Sequence, residues 1–164
     1  MQRLLLAVFL VVACATVAAA DSYDEAEFAY DRGDYTRAAR LFRPFAEQGI
    51  PSAQFHMGLM YEKGQGVPQD YQAALKWLRM AAEQGYAGPQ NNLGLMYERG
   101  RGVRQDFIRA HMWYTVAAAL LSGDDGKAAM ERRDHLASRM TAVQIEQAQE
   151  MAQRCRKTKF KECD

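Results

Sequence analysis

Three histidines, a cysteine pair and two glycine-rich stretches are the parts of this chain whose residue types could do chemistry. Histidine can move protons near neutral pH or ligate a metal. His56, His111 and His135 are scattered, and neither a His-Glu-x-x-His pair nor paired Cys-x-x-Cys motifs complete a zinc set. No Gly-x-Ser-x-Gly nucleophile turn occurs. Asp124 and Asp125 lie in Ser-Gly-Asp-Asp-Gly, which reads as a turn with too few oxygen ligands for calcium. The glycine-rich stretches are GLMYEKGQGVPQD (Gly58–Asp70) and GLMYERGRGVRQD (Gly94–Asp106). A phosphate-binding loop needs a strand before it and Gly-Lys-Ser/Thr at its end, and neither is present. These residues imply no catalytic set, no metal and no cofactor, so the glycines need another explanation.

That explanation is repetition. The two stretches stand 36 residues apart, and aligning 53–82 with 89–118 gives 15 identities in 30 positions, which is beyond coincidence. A period of this size marks a solenoid of stacked helical units. A shortened third copy lies upstream, where GDYTRAARLFRPFAEQG (Gly33–Gly49) aligns with QDYQAALKWLRMAAEQG (Gln69–Gly85) at the same offset.

Each unit reads as two helices. Ala53, Met57 and Tyr61 form one stripe of a first helix, and Gly58 beside them removes a side chain where a neighbour could approach. Gly64 and Gly66 break that helix, because glycine adopts positive φ at helix ends and turns. Asp70 caps the second helix, whose Ala74, Trp77, Leu78, Ala81 and Ala82 share one face. The next unit repeats the frame with Gly94, Tyr97, Gly100, Gly102, Asp106 and Trp113. His56 aligns with Asn92 and His111 with Leu75, so the frame does not call for histidine. The histidines read as partly exposed helix side chains.

These residues resemble the Sel1-like repeat family, relatives of the tetratricopeptide repeats. The family pattern reads here as AQFHMGLMYEKGQGVPQDYQAALKWLRMAAEQG (Ala53–Gly85) and again from Pro89 to Gly123. The resemblance implies an all-α solenoid of stacked helix-turn-helix repeats with helical caps. It also implies that first helices line a concave groove that binds a protein or peptide partner, with no enzymatic chemistry. Positions that differ between copies on a fixed frame are the expected recognition residues: Phe55 against Asn91, and His56 against Asn92. Leu59, Met60, Leu95 and Met96 are constant and read as core, with an apolar groove surface as the alternative. A cysteine-containing branch of the family has bridged cysteines at this spacing, and β-lactam binding has been attributed to it. An envelope hydrolase or β-lactam-binding protein is therefore the alternative reading. In that branch the pairs recur in each repeat, whereas here one pair stands outside the well-formed repeats.

The resulting division is a signal peptide (1–20), a tetratricopeptide-like capping pair (21–50) and two full repeats (51–86 and 87–123). Capping helices (124–155) and a basic tail (156–164) complete the chain. The leader has a short positive start, an apolar run and a small-residue site before Asp21, which predicts export to a bacterial periplasm or beyond. A lipid anchor at Cys14 is the less favoured reading. Lys+Arg number 21 against 20 Asp+Glu, so charge calls for no nucleic acid, and no further run is apolar enough to span a membrane. In an exported chain Cys155 and Cys163 suit a disulfide. Pro89 predicts a helix starting there, and the slip of the closing glycine to Gly123 predicts a longer helix before it. Thr141 and Gln144 form a capping-box pattern that predicts a helix from Ala142 to about Arg154. The basic residues from Arg154 to Lys161 read as a solvated tail.

Overall fold

The computed structural model describes residues 22–163. The leader and Cys14 lie outside them. Among the described residues all regular structure is helical. α1 occupies 22–31. It is followed by α2 (Tyr35–Glu47), α3 (Pro51–Lys63), α4 (Tyr71–Ala82), α5 (Ala87–Arg99), α6 (Phe107–Leu120), α7 (Gly123–Ala137) and α8 (Ala142–Lys157). From α2 to α7 each helix packs on the next, and α8 returns to pack on α6.

Backbone needs set the boundaries. Asp34, Asp70 and Asp106 stand one period apart, and each caps the second helix of its unit. Their carboxylates accept from Arg37 N, from Gln72 N and Ala73 N, and from Arg109 N. These are first-turn N–H groups that have no partner within the helix. Gly64 and Gly100 end α3 and α5 with φ of 67° and 66°, and Gly66 and Gly102 repeat the left-handed turn at 69° and 68°. The chain then doubles back, so that Asp70 N donates to Tyr61 O and Asp106 N to Tyr97 O.

The mid-helix glycines have the packing role their position suggested. A Cβ on Gly58 would stand 2.7 Å from Leu78 Cγ, and one on Gly94 would stand 2.6 Å from the Tyr114 ring. The same close approach thus serves two different partners one period apart. Tyr114 is fully buried and its hydroxyl donates to Glu98 Oε2 at 2.7 Å. Burial and that neighbouring carboxylate push its pKa well above the usual phenol range.

Two apolar clusters form the core. One holds Ala38, Phe42, Met57 and Met60, the other Leu78, Leu93, Met96 and Trp113, and Tyr61 packs on both. Met60 and Met96 are fully buried, while Leu59 and Leu95 are only half-buried. Trp113 is fully enclosed and Trp77 is half-buried. Two buried glutamines stitch unit to unit. Gln54 Nε2 donates to Ala46 O at 3.2 Å, and Gln90 Nε2 to Ala82 O at 3.1 Å. Gln84 Nε2 in turn donates to Gln54 Oε1 at 2.9 Å. One period later Leu120 stands in place of Gln84, and the buried Gln90 Oε1 has no partner.

Several expectations are corrected. α5 begins at Ala87, in register with Pro51 of α3, so Pro89 is its third residue. A missing N–H is harmless there too, because the first four are all unpaired within a helix. Asp124 and Asp125 belong to the first turn of α7 rather than to a loop, where carboxylates complement the positive helix end. Gly123 opens that helix instead of closing the third unit. α6 is nevertheless the longer helix, with 14 residues against 12 in α4. The Thr141–Gln144 capping box is formed, and α8 runs three residues beyond Arg154 to Lys157.

The basic residues from Arg154 to Lys161 are exposed as expected, but the segment that carries them is folded back onto the solenoid. The chain turns back through Lys159 and Phe160, at φ of 51° and 67°. The Phe160 ring lies 3.0 Å from where a Gly85 Cβ would stand, so the absent side chain makes its seat. Cys155 and Cys163 are bridged, and both are buried. The apolar ring and the bridge hold the segment in place while the flanking lysines stay in solvent.

Candidate partner-binding face

The first helices α3 and α5 carry the residues that differ between copies. Phe55, in the second turn of α3, is half-buried. Its ring meets Tyr86 edge-on, with centroids 5.8 Å apart, and lies 3.2 Å from the position a Gly88 Cβ would occupy. The glycine therefore lets the start of α5 rest on this ring. Tyr86, 42% exposed, was not singled out by the repeat comparison, because it falls between the two helices of adjoining units. Asn91 faces α7, where Arg132 Nη1 donates to its Oδ1 at 3.1 Å. Asn92 Nδ2 donates to Gly88 O of its own helix at 3.2 Å.

His56 is turned toward the N-terminal helices. It stacks on Phe42 with centroids 4.4 Å apart and planes 4° apart, and meets Tyr30 edge-on at 4.9 Å. Its Nδ1 is buried without a hydrogen-bond partner. The four residues therefore do not form one cluster: His56 contacts Phe42 of α2, and Asn91 contacts Arg132 of α7. His111 is buried in α6, contrary to the expected partial exposure, because α5, α7 and α8 all pack on that helix. His135 is exposed. Among the described residues, no group of three or more His, Cys, Asp or Glu side chains is placed to hold a metal.

Burial lowers the pKa of His56, with Asp31 opposing. Burial lowers that of His111 as well, helped by Arg133 and opposed by Asp134. Above about pH 6.5, the ordinary histidine value, both rings are neutral folded or unfolded. Below it the unfolded chain takes up protons first, so stability is lost as the pH falls toward the depressed folded values. The wild type is expected to lose stability in denaturant titrations between pH 7.5 and 5.5. His56→Phe with His111→Leu should lose less. An identical pH slope in both proteins would reject this assignment.

The helix pairs, the recurring caps and the stacking of each unit on the next define an α-solenoid. The chain belongs to the Sel1 repeat family, whose repeat matches residues 23–50, 51–86 and 90–120. The first match covers the α1–α2 pair that the sequence alone presented as a shortened copy. A similar solved structure is a protective antigen of uropathogenic Escherichia coli strains displaying an SLR fold. It aligns with a TM-score of 0.78 at 30% identity, over 88% of this chain and 31% of that one. A second is a Sel1 repeat protein from Oxalobacter formigenes. Its TM-score is 0.58 at 36% identity, over 61% of this chain and 40% of that one. This chain thus spans well under half of either relative. No curated protein has a matching sequence.

Proposed function

We propose that this protein is an exported, non-enzymatic adaptor that holds a protein or peptide segment along the face formed by its first helices. Sel1 repeats commonly mediate protein–protein interaction. The observation that carries the reading is the half-exposed Phe55–Tyr86 pair, with the Asn91–Arg132 pair on the adjoining helices. Aromatic and arginine side chains supply most of the binding energy at protein interfaces. Asn91 and Asn92 offer amides for a peptide backbone, and His56 flanks the aromatic end. The reaction would be capture alone, with no bond made or broken. Export is supported by the leader-like first twenty residues and by the Cys155–Cys163 bridge, which suits an oxidising compartment. Among the described residues no helix is long and apolar enough to cross a membrane.

Photo-crosslinking probes at Phe55, His56, Asn91 and Asn92 in the producing cell test this. One recurrent protein adduct is expected, absent with a probe at Lys76, which is exposed on α4. Tyr86→Ala should abolish it. Equal labelling from Lys76, or no adduct, would remove the basis for the groove. Asp21 as the mature N-terminus would establish cleavage of the leader. Turnover of the chromogenic β-lactam nitrocefin by the purified chain would instead favour the hydrolase alternative.

A further inference from the structure

Building on the adaptor reading, we propose that the captured segment is acidic. It sets an apolar side chain on the Phe55–Tyr86 pair and carboxylates against the bridged loop near the end of the chain. Charge is unevenly spread along the sequence. Arg154, Arg156, Lys157, Lys159 and Lys161 place five cations within eight residues, followed by Glu162 and Asp164. All of these cations are exposed. Lys+Arg number 21 against 20 Asp+Glu in the whole chain, so without these five, 16 cations face 20 acids. The rest of the molecule is therefore acidic, and this loop is where a carboxylate-rich partner is drawn.

Helix chemistry explains part of the cluster. Arg154, Arg156 and Lys157 stand in the last turn of α8, where cations complement the negative helix end. Lys159 and Lys161 lie beyond that helix. Lys159 and Phe160 hold positive φ, at 51° and 67°, where the backbone alone favours glycine or asparagine. The conformation is fixed from outside, by the Cys155–Cys163 bridge and by the seat of the Phe160 ring on Gly85. The two lysines are thus presented on a held loop rather than on a loose end.

That seat joins the loop to the capture face. Gly85 is followed in the chain by Tyr86, whose ring meets Phe55 edge-on. Phe55 and Phe160 pack against the same core cluster. Consecutive Cα atoms are only about 3.8 Å apart, and lysine carries its charge on a long flexible stem. A segment resting on Tyr86 is therefore within reach of Lys159 and Lys161. Phe160 is held in its own seat, which leaves the loop without that ring to insert into a bilayer. A lipid surface would also leave the Phe55–Tyr86 pair unused. An acidic polypeptide with an apolar side chain uses both.

The probe is a fluorescein-labelled peptide with two leucines beside four glutamates, read by fluorescence anisotropy on the bridged protein. Saturable binding that weakens with added salt is expected. Glutamine in place of the glutamates should weaken it at least about tenfold. Lys159→Asn with Lys161→Gln should weaken the acidic peptide about as much and leave the glutamine peptide unchanged. Asparagine accepts the backbone at position 159, so this variant should keep the wild-type melting temperature. Phe160→Ala keeps the cations but unseats them, and should weaken the acidic peptide at least about threefold. Tyr86→Ala should weaken both peptides. Equal binding of the two peptides, both lost in Tyr86→Ala, would overturn the acidic preference and leave the adaptor reading standing. Acidic-peptide binding that ignores Tyr86→Ala but falls with the lysine variant would separate the loop from the capture face and overturn the proposal. Unchanged binding in the lysine variant or in Phe160→Ala, or no binding at millimolar peptide, would overturn it too. Sedimentation with phosphatidylglycerol vesicles in place of peptide binding would assign the loop to a lipid surface instead.

Discussion

Gly66→Val is expected to cost about 3 kcal/mol, a fall of roughly 10 °C in the thermal midpoint of a chain this size. The position is exposed, and an exposed site ordinarily tolerates substitution. Two effects act against valine here. The backbone stands at φ +69°, in the left-handed region that a β-branched residue resists. The Cβ would also fall 2.1 Å from Tyr35 O, at the start of the preceding unit's second helix. Backbone cannot rotate aside as a side chain would, so the loop must lift away from α2. Gly102 meets Tyr71 O in the same way at 2.3 Å. Gly33→Ala separates the two effects, because its φ is +80° but nothing lies within 4 Å of its Cβ. It should cost only about 1 kcal/mol. Equal losses in denaturant titrations of the two variants would show that backbone overlap plays no part.

Removing the Cys155–Cys163 bridge should cost about 2.5 kcal/mol if its effect is mainly to restrict the unfolded chain. The bridge closes a short loop, eight positions apart in sequence, which carries Phe160 onto Gly85. Phe160 and Lys159 hold positive φ, a conformation that persists in non-glycine residues only where the surroundings enforce it. Opening the bridge releases that constraint, so the ring should leave its seat and uncover the end of the α4 unit. Reductant should lower the melting temperature of the wild type and leave that of Cys155→Ser with Cys163→Ser unchanged. Intact mass without reductant should be two hydrogens below the dithiol value. Two alkylatable thiols in protein taken fresh from the cell would refute the bridge as a native feature.

The parts of this fold that were readable in advance are those governed by local backbone chemistry. A carboxylate one residue before a helix satisfies that helix whatever packs on it, so Asp70 and Asp106 announce their role in any context. Gly64, Gly66, Gly100 and Gly102 answer to φ, and Thr141 with Gln144 answer to one turn of α8. Repetition then amplified these signals, since a requirement of the frame recurs every 36 residues.

Long-range placement was legible only in three dimensions. His111 was expected to be partly exposed, yet α5, α7 and α8 all pack on α6 and bury it. Phe160 sat among lysines, and its seat on Gly85 depends on two segments far apart in the chain. Gln54 and Gln90 recur visibly, but the carbonyls they reach lie in the unit before. A periodic pattern reports what each unit needs, and the chemistry between units follows from how their faces are brought together.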